Sequence, residues 1–409
     1  MIPRAPKGTD DILPPESERW RTVLRVFDSI AERYGYALVM TPIFEHTELF
    51  ARGVGEQTEV VEKQMYTFED RRGRSLTLRP EATASVVRAY LESGTKGVFK
   101  GAYAGPMFRY EQPQAGRRRQ FFQVGVEYLG ESSPLADVEV IEMGYRTLRE
   151  VGVGDATVLL NSIGDGADRV AYRSILTEFL RARVGDLSAD SARRVDANPL
   201  RVLDSKADQD VVSDAPVPAD HLSEAAAAHH AAVEEGLAEL GVPFTAAPRL
   251  VRGLDYYNRT VFEYQSPSYE AAQAALGGGG RYDPLASMLG GGEVPGVGLA
   301  MGVDRIALAM PEVVDAPALD AFVVVIDSGR LGAGRSCVDR LRGAGLRADM
   351  DLGDRSVKAQ FKAADRRRAM AAVVVGDEWD DGKVSVKRLA SGEETTLEVE
   401  EAIEWLKKR

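Results

Sequence analysis

Cysteine is almost missing from this chain: Cys337 stands alone among 409 residues. No disulfide can form within the chain, and a reducing compartment such as the cytoplasm is the environment that fits. Histidine is scarce as well. Of the four, His46, His221, His229 and His230, the last two follow an alanine run and read as the surface of a helix. None lies near the denser motifs, so the sequence offers no support for a Ser-His-Asp triad, a Cys-His pair or a histidine-ligated zinc site. With no metal site evident as a side-chain cluster, any metal would be a hard ion such as Mg²⁺ on carboxylates and phosphates. No apolar run approaches the roughly 20 residues of a membrane helix. The opening M-I-P-R-A-P-K-G-T-D-D holds no apolar signal core. There is no Gly-Lys-Ser/Thr phosphate loop, so ATP, if bound, is bound another way. An excess of basic charge is missing too: the formal net charge is −12. That counts mildly against a nucleic-acid binder, and weakly for a large enzyme, whose contact face alone needs to be basic.

What is present is the balance of a soluble globular protein, 44% hydrophobic and 28% charged, long enough for two or three domains. Apolar residues at Trp20, Val23, Leu24, Phe27, Ala31 and Tyr34 predict a helix over 17–34. A short strand over 37–40 ends at Thr41-Pro42, and strand-like pieces follow at 65–68 and 76–78. Pro80 suits the first turn of the next helix. Residues 102–130 read as a long hairpin, 137–150 as a helix, and about 161–246 as a mostly helical insertion. Strand signals return at 260–264, followed by glycine-rich pieces at 277–283 and 296–306, and 313–320 reads as a linker. Beyond it, strands at 321–326, 346–350 and 371–375 alternate with helices at 335–344 and 356–367. That order predicts a small α/β domain with a largely parallel sheet.

The hairpin reads F-R-Y-E-Q-P-Q-A-G-R-R-R-Q-F-F-Q-V-G-V-E-Y-L-G from Phe108 to Gly130. Side chains on a strand alternate faces. Arg109 and Glu111 share one face of the first arm. Arg117, Arg119, Phe121, Gln123 and Glu127 share one face of the second, and Phe122, Val124, Val126 and Tyr128 form an apolar face opposite. Arginines on a rigid strand suit a polyphosphate, which the planar guanidinium grips with two parallel hydrogen bonds. Glu127 suits a cationic or N–H-bearing group. The competing reading is an ordinary amphipathic hairpin with a solvated face, although such faces usually mix lysine, glutamate and threonine.

A second segment, L-V-R-G-L-D-Y-Y-N-R-T-V-F-E from Leu250 to Glu263, sets an arginine, a carboxylate and two tyrosines before a strand. It could hold a small polar ligand against a sheet edge. Gly277 to Gly280 either let backbone approach a ligand closely or form a tight bend between strands. G-V-G-L-A-M-G at 296–302 has the wrong spacing for a dinucleotide fingerprint.

Together these residues resemble the class II aminoacyl-tRNA synthetases. The strand ending at Pro42, the hairpin with Arg109 and Glu111, and a G-x-x-x-G-x-D-R helix ending at Arg305 are similar to their motifs 1, 2 and 3. R-G-L-D-Y-Y at 252–257 and L-G-G-G-G-R-Y-D at 276–283 resemble the two signatures of the histidyl-tRNA synthetases, as do P-K-G-T-D-D-I-L-P and N-P-L-R-V-L-D-S-K at 198–206. The resemblance spans essentially the whole chain.

It implies an α+β catalytic core on an antiparallel sheet over 1–319, with the helical insertion, and an α/β anticodon-binding domain over 320–409. It implies a homodimer that joins L-histidine to tRNA(His) using ATP with Mg²⁺. It also implies roles. Arg109 would hold the α-phosphate, Glu111 the adenine amino group, and Arg117 and Arg305 the ATP phosphates. Glu81, Thr83 and Gln123 would bind the amino and carboxylate groups of histidine. Glu127 and Tyr257 would bond the imidazole with Tyr256 beside them, and Arg252 would lie against the α-phosphate and the substrate carboxylate. Gln112 and Gln114 would meet the tRNA acceptor end. Arg355, Lys358, Lys362 and Arg366, at helical spacing, read either as a solvated charged face or, with the resemblance, as a contact to anticodon-stem phosphates.

Two positions depart from the pattern. Gln112 stands where arginine is common, in the loop that the resemblance implies meets the tRNA acceptor end. Phe122 stands where histidine is common, and it is expected to face the core. A non-catalytic regulatory subunit of ATP phosphoribosyltransferase is the main rival. Such a subunit typically lacks the C-terminal domain and several of the arginines kept here.

Overall fold

Val23, Phe27, Ile30 and Ala31 recur at helical spacing and are buried, which fixes the first helix, Glu16–Arg33, on an apolar core. The computed structural model describes residues 2–408 except 56, 57, 59, 114, 115, 204, 252, 268–274, 312–318 and 354. The chain divides into two compact units, Met1–Pro311 and Glu312–Arg409.

The first unit is built on strands β1 (Ala37–Leu38), β2 (Phe44–His46), β3 (Tyr66–Glu69), β4 (Ser75–Leu78), β5 (Phe99–Phe108) and β6 (Gln120–Leu129). They are followed by β7 (Thr157–Ser162), β8 (Phe244–Ala246), β9 (Asn258–Gln265), β10 (Ala275–Arg281) and β11 (Gly296–Gly302). Eight of them form one sheet in the order β1-β5-β6-β11-β10-β9-β7-β8. Its interior pairs are antiparallel, and only the outermost pair at each edge is parallel. A small antiparallel sheet, β2-β4-β3, stands apart.

The pleat divides the large sheet into two faces. Val124 and Val126 of β6, Val297 and Met301 of β11, and Phe262 and Tyr264 of β9 join one apolar cluster. Helices Glu16–Arg33, Pro134–Glu150, Glu224–Glu239 and Val303–Ala309 cover that face and complete the cluster. Each fully buried aliphatic or aromatic side chain here stabilises the fold by about 1.5–3 kcal/mol. The opposite face carries the cavity described below.

Several expectations change. Pro80 lies ahead of the helix Thr83–Ser93 and not in its first turn; the Glu81 carboxylate accepts from the free N–H groups of Thr83 and Ala84 instead. The insertion is helical, but its end forms β8, an edge strand parallel to β7. Gly277–Gly280 lie inside β10 and make no bend. Arg305 opens its helix, Val303–Ala309, and does not end it. His229 is not a surface residue: it is 6% exposed, with Nε2 3.4 Å from Asp137. Burial alone would raise the Asp137 pKa, yet hydrogen bonds and charge from His229 and Arg281 outweigh it and hold the carboxyl below its ordinary value. His230 is half-buried.

The second unit contains β12 (Leu319–Val325), β13 (Ala348–Met350), β14 (Ala369–Val375), β15 (Lys383–Arg388) and β16 (Glu394–Glu398), ordered β13-β12-β14-β15-β16. The run A-F-V-V-V is buried on both faces. Ala321, Val323 and Val325 pack under the helices Leu331–Gly343 and Val399–Lys407, and Phe322 and Val324 under Val357–Arg366. The first three strands are parallel as expected, whereas β15 and β16 add an antiparallel edge. Of the stretch read as a linker, 313–318 lie outside the described residues, and Leu319 and Asp320 already belong to β12.

Candidate active site

A cavity of about 680 Å³ opens on the polar face of the large sheet. Its floor alternates with the core face: Phe121 and Gln123 from β6, Glu263 and Gln265 from β9, and Gly298, Ala300 and Gly302 from β11.

One end is lined by arginines. Arg109 follows β5, where its backbone N–H still pairs with Arg119 O at 2.9 Å. Its Nε donates to Pro80 O at 2.9 Å, and its guanidinium lies 5.4 Å from the centre of the Phe121 ring. Arg117 forms an ion pair with Glu111. Arg305 donates to Gly116 O at 3.0 Å and to Ala275 O at 2.8 Å, tying the hairpin tip to β10. All four of these charged side chains line the cavity. Arg119, expected beside them, instead stacks 3.8 Å from the centre of the Tyr110 ring and is not part of the lining. The reason is that β6 begins only at Gln120, so strand alternation does not extend back through 117–119. Arg118 is engaged by Asp304 at 2.7 Å, and Asp304 also accepts from the Phe122 N–H at 3.0 Å. The Phe122 ring packs edge-on against Trp20, on the core side.

The other end is built on carboxylates and hydroxyls. Glu127 is wholly buried. Thr83 Oγ1 donates to its Oε1 at 2.6 Å, and the Tyr282 hydroxyl donates to its Oε2. Burial pushes the Glu127 pKa up from 4.5 to about 8; the two hydroxyl donors pull it down, and the charge of Glu81 adds to the rise. Glu81 is raised by burial too, against the Ala84 and Thr83 donors. Gly298 has no Cβ because one there would collide with the Glu127 carboxylate. At Gly280, a Cβ would sit 2.9 Å from the Tyr257 ring. Tyr256 and Tyr257 have ring centres 4.7 Å apart, and Tyr282 lies 5.7 Å from Tyr256. Gln123 Oε1 and the Tyr103 hydroxyl are buried with no hydrogen-bond partner among the described residues. Buried polar atoms of that kind are ready to pair with a ligand.

Sequence-identified residues Glu81, Thr83, Arg109, Glu111, Arg117, Gln123, Tyr256, Tyr257 and Arg305 therefore meet in one cavity, with Glu127 behind its wall. Arg252 and Gln114 lie outside the described residues; Leu250, Val251, Gly253 and Leu254, around Arg252, line the cavity. Gln112 is exposed between the hairpin arms. Tyr282 and Tyr103 carried no assigned role in the sequence. A tyrosine directly after G-G-G-G-R was the available signal for Tyr282, but its bond to Glu127 depends on β11 lying between β10 and β6. In the second unit, Lys358, Lys362 and Arg366 are exposed on their helix, while Arg355 precedes it and lies 3.4 Å from Asp351.

Among the described residues no helix is long and apolar enough to cross a membrane, and no three His, Cys, Asp or Glu side chains cluster as a metal site.

Residues 8–306 match the family model described as histidyl-tRNA synthetase, and 320–409 the one described as an anticodon binding domain. A relative from Bacillus velezensis, named histidine–tRNA ligase, is 44% identical over 419 residues, covering 100% of this chain and 99% of the relative. The solved apo structure of Staphylococcus aureus histidyl-tRNA synthetase matches with a TM-score of 0.78 at 36% identity, covering 100% of both chains. A Bacillus halodurans structure described as an ATP phosphoribosyltransferase regulatory subunit/histidyl-tRNA synthetase shares the fold: TM-score 0.66, 22% identity, covering 92% of this chain and 99% of that one.

Proposed function

We propose roles for the cavity residues from one premise: the chain belongs to the histidyl-tRNA synthetase family. It is a histidine–tRNA ligase, an enzyme that uses ATP to join histidine to tRNA. The rival reading as a regulatory subunit is weaker, because Arg109, Arg117 and Arg305 all line the cavity.

The histidine carboxylate attacks the α-phosphorus of ATP. A carboxylate–phosphorus bond forms, and pyrophosphate leaves with the electrons of the broken P–O bond. A ribose hydroxyl at the tRNA 3′ end then takes the acyl group, and AMP leaves. Displacement at phosphorus needs positioning and charge stabilisation more than covalent help. Arg109 and Arg252 are assigned to the α-phosphate, Arg117 and Arg305 to the outer phosphates, and Glu111 to the adenine amino group. Arg252 is assigned to the substrate carboxylate as well. Glu81, Thr83 and Gln123 take the amino and carboxylate groups of histidine. Glu127 and Tyr257 take the imidazole, with Tyr256 against them. A site built to pair with imidazole N–H groups rejects side chains that lack them, since its own buried groups would then go unpaired. Mg²⁺ enters with ATP as part of that substrate, where it would offset the phosphate charge.

Residues 1–319 are assigned to catalysis and 320–409 to the anticodon. Gln112 and Gln114 are assigned to the acceptor end, and Arg355, Lys358, Lys362 and Arg366 to the anticodon-stem phosphates of tRNA(His). The working form is a cytoplasmic homodimer. One observation supports the reading above others: the cavity that has an arginine-lined end is also lined by Thr83 and Tyr282, whose hydroxyls hold the buried Glu127 carboxyl behind it. Pyrophosphate exchange with each of the twenty amino acids tests it. Exchange with histidine alone is expected; exchange with another amino acid, or with none, would overturn it.

A further inference from the structure

The helical insertion has its own small core, which includes Tyr172, Leu176, Val202 and Val212. It is also fastened to the segment that carries Tyr257. Arg169, at the start of helix Gly166–Arg181, donates through Nη1 to the carbonyl oxygens of Asp255 at 3.0 Å and Tyr257 at 2.8 Å. In the opposite direction Arg249 donates to Val212 O at 3.1 Å, to Ala215 O at 3.3 Å and to Ser213 O. The segment 249–257 is thus clasped to the insertion near both ends.

Tyr257 and Leu254 line the substrate cavity and also a second cavity of about 40 Å³, bounded by Arg169, Tyr172, Asn198 and Leu200. Tyr257 is therefore less closely packed on that side than against Tyr256, and hydrogen bonds to its backbone add to what packing does in fixing its place. Hydrogen bonds from a guanidinium are of the stronger, charge-assisted kind. Burial pushes the Arg169 pKa below its ordinary value, with the Asp255 charge opposing.

We propose that Arg169 is a positioning residue for selection of the amino-acid side chain: from the insertion, and without touching substrate, it sets the place of Tyr257. The inference rests on the reading of the cavity as a histidine site.

The test is pyrophosphate exchange by full-length wild type, Arg169→Lys and Arg169→Ala, with KM measured separately for histidine and for ATP, beside a thermal melt. Arg169→Ala is expected to raise the histidine KM roughly tenfold and leave the ATP KM within about twofold, with Arg169→Lys between it and wild type. An unchanged histidine KM, or one that rises in step with the ATP KM, overturns the inference while wild-type exchange with histidine keeps the functional reading. If Arg169→Ala does not fold, Arg169→Lys decides by the same criterion. Failure of the wild type to exchange with histidine would remove the functional reading and this inference with it.

Discussion

Along β6, Val124 and Val126 face an apolar core, while on the opposite face Gln123 lines the cavity and Glu127 lies behind the cavity wall, bonded to Thr83. The same ten-residue strand therefore does opposite things to stability. Its apolar face is fully packed under helices. Its polar face buries a carboxyl with a pKa pushed to about 8 and a Gln123 oxygen with no partner among the described residues. Sites that await a ligand commonly cost the free protein stability in this way. The difference separates residues whose loss should unfold the protein from residues whose loss should silence it.

Substitutions on the two faces should separate along that line. On the core face, Phe262→Ala should lower unfolding free energy by about 3–5 kcal/mol in urea titration, with the histidine KM of the surviving folded protein unchanged. On the cavity face, Arg109→Ala should reduce exchange about 10²- to 10³-fold with a near-normal melt. A large loss of melting temperature there would erase the distinction between the faces.

Glu127→Gln should raise the histidine KM roughly 10²-fold, because the amide cannot ionise to pair with the imidazole as the carboxyl can. It also carries a pH signature. The native pKa, about 8, lies above the ordinary 4.5, so the folded protein keeps a proton that the unfolded chain releases between those values. The stability contributed by this carboxyl is full below 4.5 and is lost as pH rises through about 8. Ligand-free wild type should therefore lose more melting temperature than Glu127→Gln between about pH 5 and 8.5. Parallel melting curves would refute the buried-acid account. The smallest effect belongs to the second unit: Lys358→Glu with Lys362→Glu should weaken tRNA charging several-fold, more so at low salt, and leave exchange intact.

Much of this arrangement was legible in the sequence because it is local. The hairpin showed its alternation from Phe121 to Tyr128, and the buried run after Ala321 showed a two-sided strand. What escaped notice depends on distant partners or on very short elements. Phe244–Ala246 is three residues long between prolines, too brief for a period. His229 looked like the face of an alanine helix because nothing nearby in sequence reveals Asp137, the buried carboxylate it meets. Tyr282 and Arg169 act through Glu127 and through the backbone of Asp255 and Tyr257, contacts set by sheet order and by the seating of the insertion.

The register between β6 and β11 pairs Gln123 with Gly302 and Leu129 with Gly296. During synthesis, β5 and β6 emerge early as a hairpin, but their neighbour arrives only after the whole insertion has been made. Until then one edge of β6 stands open, the kind of surface that aggregates or recruits chaperones. Ribosome stalling or truncation before residue 296 should therefore be far more damaging than an interruption after 311, where the first compact unit is already complete.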